Sequence, residues 1–223
     1  MKPAAVPIVV LISGSGTNLQ SIIDAVARGE VPGRIAAVIS NHPEAYGLER
    51  ARLAGIPTEV LDHREFASRE DFDAALMARI DAYAPGLVVL AGFMRILTEG
   101  FVRHYLGRML NIHPSLLPLY RGTNTHARAL ADQVSEHGAS VHFVTPELDG
   151  GPVIVQARVP VHAQDTPEDL AARVLEQEHR LYPLAVRWYC EGRLRLDGTR
   201  VLVDGRPLEG PVRLEELEVR GVS

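Results

Sequence analysis

From residue 8 the sequence reads Ile8-Val9-Val10-Leu11-Ile12-Ser13-Gly14-Ser15-Gly16-Thr17-Asn18. Its apolar, largely β-branched first part is typical of a strand that is buried on both faces of a sheet. Leu19, Ile22, Ile23 and Val26 then recur at helical spacing, so a helix follows the glycines. A strand, a glycine-rich turn and a helix in this order indicate an α/β fold with a parallel sheet.

The same alternation continues along the chain. Apolar runs predict strands over 35–40, 57–61, 87–92 and 109–113, and apolar stripes predict helices over 45–54 and 69–83. Residues 139–144 and 153–161 alternate around the turn signal Asp149-Gly150-Gly151, which adds an antiparallel hairpin. Thr166-Pro167 opens a last long helix that runs to about Cys190. We therefore predict a mostly parallel mixed sheet with helices on both faces.

Composition and charge restrict the class of protein. The 223 residues are 46% hydrophobic and 23% charged, which is ordinary for a globular chain. The net charge of −5 gives no overall attraction to nucleic acid or to an anionic membrane. A lone cysteine, Cys190, cannot form an intramolecular disulfide, and the sequence shows neither a secretory signal nor an apolar run long enough to span a bilayer. We expect a cytoplasmic protein with small-molecule ligands.

The glycine loop, residues 14–18, suits an anion. Glycines let backbone N–H groups approach a phosphate, and the start of the next helix adds partial positive charge. A dinucleotide fingerprint would need a glycine at Leu19 and an acid where Ser40 and Asn41 stand, so a nicotinamide cofactor is disfavoured. The alternative is a tight strand-to-helix turn without a ligand.

Three polar residues in the second half are candidates for catalysis. Alternation along a strand puts Asn111 and His113 on one face, at a strand end where open α/β sheets bind ligands. An amide donor beside an imidazole suits oxyanion stabilisation and proton transfer. Asp149 could favour the protonated imidazole if it lies nearby, although the pattern around Asp149 taken alone indicates only a turn residue. The histidines show no metal-ligand spacing and the cysteine is isolated, so we expect no metal.

Taken together, these motifs resemble the phosphoribosylglycinamide formyltransferase family. The matching stretches are residues 10–20, 88–97, 110–118 and 137–156, and the resemblance extends from about residue 8 to about residue 195. It implies a Rossmann-like fold in one domain over 1–223, with a phosphate-binding half over 1–100, a catalytic and folate-binding half over 101–195, and a peripheral tail over 196–223. It also implies transfer of a formyl group from 10-formyltetrahydrofolate, the co-substrate, to the amine of 5-phosphoribosylglycinamide, in a monomer or homodimer without metal.

The resemblance assigns roles to individual residues. Asn111 and His113 would stabilise the oxyanion formed by direct attack of the amine, and Asp149 would keep His113 protonated. The remaining assignments are substrate binding by Gly16, Thr17, Asn18 and Glu178, and folate binding by Arg69, Met94, Arg95, Ile96, Leu97 and Asn111. The family also suggests a cis peptide bond at Leu117-Pro118.

Two positions depart from the family pattern, and alternatives remain. Asn124 stands where a histidine is expected, and Arg121 replaces a proline in a Tyr-Arg-Gly run that looks more like methionyl-tRNA formyltransferases. The methionyl-tRNA formyltransferases are one alternative, and they have a longer chain with an additional RNA-binding domain. The formyltetrahydrofolate hydrolases are another, and they carry an added N-terminal domain. A non-enzymatic nucleotide-binding module would explain the glycine loop but not Asn111, His113 and Asp149 together.

Overall fold

The structure is a computed structural model that describes residues 4–219. The expectation that the chain has no secretory signal concerns its first residues, and residues 1–3 lie outside the described range. The strands are β1 Val6–Ile12, β2 Gly33–Ser40, β3 Thr58–Val60, β4 Leu87–Leu90, β5 Met109–His113, β6 Glu136–Phe143, β7 Val153–Pro160, β8 Leu194–Asp197, β9 Arg200–Val203, β10 Arg206–Pro207 and β11 Val212–Arg213. The helices are α1 Thr17–Ala27, α2 Tyr46–Leu53, α3 Arg69–Asp81, α4 Glu99–His104, α5 Thr125–Ala131, α6 Pro167–Cys190 and α7 Leu214–Val219, with a 3₁₀ turn at His63–Glu65.

The main sheet is mixed, as predicted. Its eight strands lie in the order β11-β7-β6-β5-β4-β1-β2-β3. The neighbouring strands β3, β2, β1, β4 and β5 are parallel to one another, while β6 is antiparallel to both β5 and β7. The chain leaves β1 toward β2 and returns to β4 on its other side, so β1 and β4 flank the point where the strand order reverses. Ligands of open α/β sheets bind at the carboxyl ends of strands at this point.

Helices cover both faces of the sheet, which confirms the predicted layers. Side chains of α1, α2 and α6 pack in one apolar core and those of α3 and α4 in the other, represented by Leu19, Leu48 and Leu181 on one face and by Phe72 and Phe101 on the other. The strands β1 and β4 are fully buried between the two cores, apart from the first residues of β1. Among residues 4–219, no helix is long and apolar enough to cross a membrane.

The long helix α6 begins and ends where the sequence predicts. Thr166 is its N-cap and forms a reciprocal capping box with Asp169, and Pro167 occupies the first turn. Leu117-Pro118 is a cis peptide bond, which confirms that prediction.

Several short elements were not predicted. α4 and α5 have six and seven residues, and β11 extends the main sheet by pairing in parallel with β7. In the tail, Asp197-Gly198 and Asp204-Gly205 form the turns of two hairpins, which join β8, β9 and β10 in a small antiparallel sheet.

Candidate active site

The glycine loop presents free backbone donors at the carboxyl end of β1. Gly16 is the N-cap of α1 with a left-handed φ of 71°, and this cap has no side-chain hydrogen bond and no acid in the following turn. Within residues 4–219 the backbone N–H groups of Ser15 and Gly16 form no hydrogen bond to another backbone carbonyl outside the regular elements, nor to a side chain. The positive end of the helix is therefore open to an anion.

Helix α2 fixes this loop through contacts that the sequence pattern did not indicate. The Gly47 N–H donates to Gly14 O at 3.0 Å, and Arg50 Nε donates to Ser15 O at 2.8 Å. A Cβ on Gly16 would lie 2.5 Å from the Gly47 Cα, so the loop and the helix approach at a distance that only glycine permits. Helix α2 thus satisfies the Gly14 and Ser15 carbonyls, whereas the Ser15 and Gly16 N–H groups have no hydrogen-bond partner of this kind among the described residues.

Two of the predicted substrate residues lie in direct contact. Asn18 Nδ2 donates to Glu178 Oε2 at 2.7 Å, although 160 residues separate them. Burial raises the pKa of the Glu178 carboxyl, and the hydrogen bond from Asn18 partly opposes that shift. Asn18 Oδ1 is buried without a partner among the described residues, so this amide keeps an unused acceptor.

The direction of α6 explains why Glu178 reaches the site. The Tyr182 hydroxyl lies 2.7 Å from Leu90 O, at the end of β4, and 3.0 Å from Leu110 O, the second residue of β5. The Tyr189 hydroxyl lies 3.0 Å from Gly86 O, just before β4. The helix thus runs antiparallel to these strands. Glu178 is about one turn before Tyr182 and projects beyond the carboxyl edge of the sheet.

His179 is a neighbour of the glycine loop that the sequence analysis missed. With Thr17, Ser21 and Arg50 it lines a groove of about 370 Å³. Its Nε2 is buried and has no hydrogen-bond partner among the described residues. Burial, and then the positive charge of Arg50, lower the pKa of this imidazole. No local sequence pattern indicates His179, because its position beside the glycine loop depends on the packing of α6 against α1.

Two of the three candidate catalytic residues, His113 and Asp149, lie close together at the end of β5, and the third, Asn111, lies two residues before His113 on the same strand. His113 Nδ1 lies 3.6 Å from Asp149 Oδ2, and both side chains are more than nine-tenths buried. Asp149 Oδ2 also accepts the Gly122 N–H at 2.9 Å. The backbone of Asp149 has a left-handed φ of 48°. This conformation is strained for a residue with a β-carbon and persists only where the surrounding structure holds it.

His113 is engaged at its second nitrogen as well. Its Nε2 lies 2.8 Å from Tyr120 O, and because a carbonyl can only accept, Nε2 carries a proton in this arrangement. Both ring nitrogens therefore face an oxygen atom, the Tyr120 carbonyl at Nε2 and the Asp149 carboxylate at Nδ1. Donation from Nε2 to a substrate oxygen requires the contact with Tyr120 O to break.

Asn111 is oriented by His142, a residue that the sequence analysis did not assign. The two are direct cross-strand partners in β5 and β6, and Asn111 Nδ2 lies 3.2 Å from His142 Nε2. His142 Nδ1 lies 2.9 Å from Phe143 O and must donate to it, which leaves Nε2 as the acceptor. Complete burial lowers the pKa of His142 to about 4, so the ring is neutral at pH 7.

Two further histidines lie behind the catalytic group. The rings of His126 and His137 meet edge to face at 5.2 Å, and His137 also meets Tyr120 at 5.8 Å. Burial lowers the pKa of both imidazoles, that of His137 to about 4. Among the described residues, no group of three or more His, Cys, Asp or Glu side chains is arranged to hold a metal ion.

The two positions that depart from the family pattern lie in the loop between β5 and α5. Arg121 forms an ion pair with Glu147, and its carbonyl accepts from Arg128 Nη1 at 2.7 Å. Asn124 is the left-handed N-cap of α5, a conformation that asparagine tolerates well, and its side chain makes no capping bond. Both residues shape the loop that carries Tyr120 and Gly122.

The predicted folate residues form an exposed segment after β4. Met94 and Ile96 are 70% and 58% exposed, and within the described part of the chain no hydrogen bond reaches the backbone of residues 95–97. The Arg95 guanidinium lies 5.3 Å from the centre of the Phe72 ring on α3. Arg69, the first residue of α3, is one turn before Phe72 on the same face of the helix. Exposed apolar side chains beside free backbone donors and acceptors suit the edge of a flat heterocycle.

Comparison with known proteins gives consistent matches. The family model described as formyl transferase matches residues 6–186. Phosphoribosylglycinamide formyltransferase of Escherichia coli (strain K12) is 57% identical over 201 residues, which are 90% of this chain and 95% of that protein. The trifunctional purine biosynthetic protein adenosine-3 of Homo sapiens is 43% identical over 189 residues, which are 85% of this chain but 19% of that protein.

Solved structures agree with these matches. Phosphoribosylglycinamide formyltransferase from Coxiella burnetii is 55% identical with a TM-score of 0.89, and the match covers 93% of this chain and 99% of that one. Glycinamide ribonucleotide transformylase 1 from Symbiobacterium toebii is 50% identical with a TM-score of 0.88, over 91% and 95% of the two chains. Identity at this level over nearly the full length of both chains shows that this chain belongs to the phosphoribosylglycinamide formyltransferase family.

Proposed function

We propose that the chain transfers the formyl group of 10-formyltetrahydrofolate to the amine of 5-phosphoribosylglycinamide, a step of purine synthesis. The observation that carries this proposal is the pairing of His113 with Asp149 at the end of β5, with Asn111 two residues away on the same strand, in a chain of this family. The same edge of the sheet carries the glycine loop and the exposed segment 94–97, so one domain would hold both substrates.

The glycine loop and α6 would hold 5-phosphoribosylglycinamide. The free N–H groups at Ser15 and Gly16 and the uncapped start of α1 support a phosphate site, with His179 as a nearby donor. Glu178, which extends past the strand ends, supports a contact with the glycinamide end. Asn18 joins the two parts, because it belongs to the loop and donates to Glu178.

The segment 94–97 would hold the folate. Its unpaired backbone groups can pair with the polar edge of a bicyclic ring, and Met94 and Ile96 can cover its apolar faces. Arg69 stands at the first position of α3, exposed and without a partner among the described residues, and suits a carboxylate of the folate tail.

The chemistry would be direct transfer. The uncharged substrate amine attacks the formyl carbon, and negative charge develops on the formyl oxygen. Asn111 and protonated His113 donate to that oxygen, while ionised Asp149 keeps His113 protonated. A positioned water or His113 then moves a proton from the amine to the folate nitrogen. The C=O bond re-forms as the bond between the formyl carbon and this folate nitrogen breaks, which leaves the formyl group on the substrate amine. These N–H donors supply the stabilisation that a metal would otherwise give, so we propose a metal-free reaction.

The position of Tyr120 adds a step to this scheme. Its carbonyl accepts from His113 Nε2 in the structure, at the nitrogen that a formyl oxygen would need. Substrate binding would therefore displace the Tyr120 carbonyl or turn the ring. The first change would take place in the irregular loop between β5 and α5, which has few regular backbone contacts of its own, and the second at the His113 side chain at the end of β5.

Formyl transfer should be assayed with three acceptors under identical conditions. The proposal expects turnover with 5-phosphoribosylglycinamide, and none above background with methionyl-tRNA or with water. A rate that survives treatment with a chelator would support the metal-free scheme. Preferred formylation of methionyl-tRNA, preferred release of formate, or tight nucleotide binding without any transfer would each replace the proposal with one of the alternatives.

A further inference from the structure

The exposed segment 94–97 is attached to the fold at both ends by side-chain acceptors. At its start, the Met94 N–H donates to Ser13 Oγ at 2.8 Å. After its end, the Thr98 N–H donates to Asp73 Oδ2 at 2.6 Å. Between these two anchors, the backbone of residues 95–97 makes no hydrogen bond within the described part of the chain.

The first anchor connects three neighbouring strand ends. The Ser13 hydroxyl donates to Asn41 Oδ1 at 2.5 Å, so its proton is committed and its lone pair faces the Met94 N–H. The Asn41 amide is itself turned toward His63 Nδ1, 3.2 Å from Nδ2. Ser13 lies directly before the glycine loop, so its hydrogen bond to Met94 connects the segment 94–97 to the start of the predicted phosphate site.

The second anchor is a carboxylate in an apolar core. Asp73 is 1% exposed and lies among the buried side chains of α3. Its Oδ1 has no hydrogen-bond partner among the described residues, so Thr98 N–H is the main compensation for its burial. An apolar side chain would fill this place without the desolvation cost, which indicates that the role of Asp73 is its hydrogen bond to the segment.

We propose that Ser13 and Asp73 are positioning residues that hold residues 94–97 as a preformed edge for the folate ring. The inference rests on the proposed folate site at this segment. Because the two anchors fix both ends of the edge, the backbone donors and acceptors need not be ordered on binding, and this lowers the entropic cost of holding the ligand.

The test measures substrate affinities in Ser13→Ala and Asp73→Ala. Loss of one hydrogen bond that orders a binding edge corresponds to about a tenfold change in affinity. We expect the dissociation constant of tetrahydrofolate and the KM for 10-formyltetrahydrofolate to rise about tenfold in each variant, while the dissociation constant of 5-phosphoribosylglycinamide stays within about twofold. Asp73→Asn keeps the acceptor and should retain most of the affinity.

Two controls separate positioning from general destabilisation and from failure of the site itself. Thr166→Ala removes the N-cap of α6, far along the chain, and should lower the melting temperature without changing the folate KM. Ile96→Pro removes a backbone donor inside the edge and should weaken folate binding directly. Ser13 is only partly buried, so its alanine variant tests the inference even if Asp73→Ala does not fold.

The outcomes are distinct. Weaker folate binding with an intact affinity for 5-phosphoribosylglycinamide supports the positioning role. Normal folate affinity in Ser13→Ala and Asp73→Ala, with weakened binding in Ile96→Pro, overturns that role and leaves the folate site in place. Normal affinity in all three variants removes the proposed folate site together with the inference, although formyl transfer itself would stand.

Discussion

Asn111 Nδ2 lies 3.2 Å from the Nε2 of His142, its direct cross-strand partner. The imidazole is neutral, because burial lowers its pKa to about 4, and its tautomer is set by the bond from Nδ1 to Phe143 O. The acceptor at Nε2 therefore determines which way the Asn111 amide points. One of the two amide hydrogens is used in this contact, and the other remains for the proposed oxyanion.

Replacing His142 with Phe should lower kcat more than it changes either KM. A planar aromatic ring is kept and the acceptor is lost, so the Asn111 amide can rotate away from the developing charge. One oxyanion donor is worth about 3–4 kcal/mol, and a misdirected one should cost part of that, or about tenfold to a hundredfold in rate. Single-turnover rates measure the loss. In a double variant with Asn111→Ala the two losses should not add, and simple additivity would contradict the coupling.

Replacing Asp149 with Asn should reduce the rate by at least about a hundredfold, because the proposed imidazolium loses its counter-charge. The amide keeps the shape and can still accept from the Gly122 N–H, so the loop contact is preserved. Binding of 5-phosphoribosylglycinamide at the glycine loop should change little. The exposed Asp197→Asn is the matched control and should retain the wild-type rate. Near-normal turnover of Asp149→Asn would show that the proposed mechanism is wrong.

The parts of the fold that sequence predicted are those with strong local signals. β1 and β4 read as strands because they are buried on both faces, and α6 carries a proline and a capping box at its start. α5 gives no such signal, since Asn124 makes no capping bond and no acid occupies its first turn. β11 has only two residues, too few for any alternation, and exists through its pairing with β7.

The candidate site likewise contains residues that local sequence patterns identify and residues that only tertiary packing brings in. Alternation alone put Asn111 and His113 on one face of a strand. The contribution of His142 depends on the antiparallel register between β5 and β6, which a turn signal does not specify. Contacts such as that of Ser13 with Met94, or of Asn18 with Glu178, join residues 81 and 160 positions apart and arise only from tertiary packing.

Replacing Gly16 with Ala should weaken binding of 5-phosphoribosylglycinamide by about tenfold or more and should lower stability. The new Cβ would lie 2.5 Å from the Gly47 Cα, and the left-handed φ of 71° adds strain. The loop must then move away from α2 and lose the geometry of its N–H groups. KM values and thermal unfolding measure the two effects. Gly100→Ala, where a Cβ meets nothing within 4 Å, is the matched control. An unchanged KM in Gly16→Ala would argue against a phosphate at this loop.

Acidification should destabilise the chain partly through His137. Burial lowers the pKa of His137 to about 4, whereas an imidazole in the unfolded chain titrates near about 6.5. Between these values the unfolded chain binds a proton that the folded chain does not, so stability is present above about pH 6.5 and is lost as the pH falls toward about 4. The loss is at most about 1.4 kcal/mol per pH unit from this group. Positive charge on the neighbouring His126 and His113 adds to the effect of burial and also lowers the pKa of His137.

His137→Gln isolates this contribution. Urea unfolding of the wild type and the variant between about pH 4.5 and pH 7.5 should show that the wild type loses more stability on acidification, by about 2 kcal/mol over the range. Carboxylates titrate in both proteins and cancel in the difference. The exposed His162→Gln should follow the wild type at every pH. Parallel pH dependences for the wild type and His137→Gln would mean that His137 is not held neutral in the folded chain, because a proton could then bind equally well to both states.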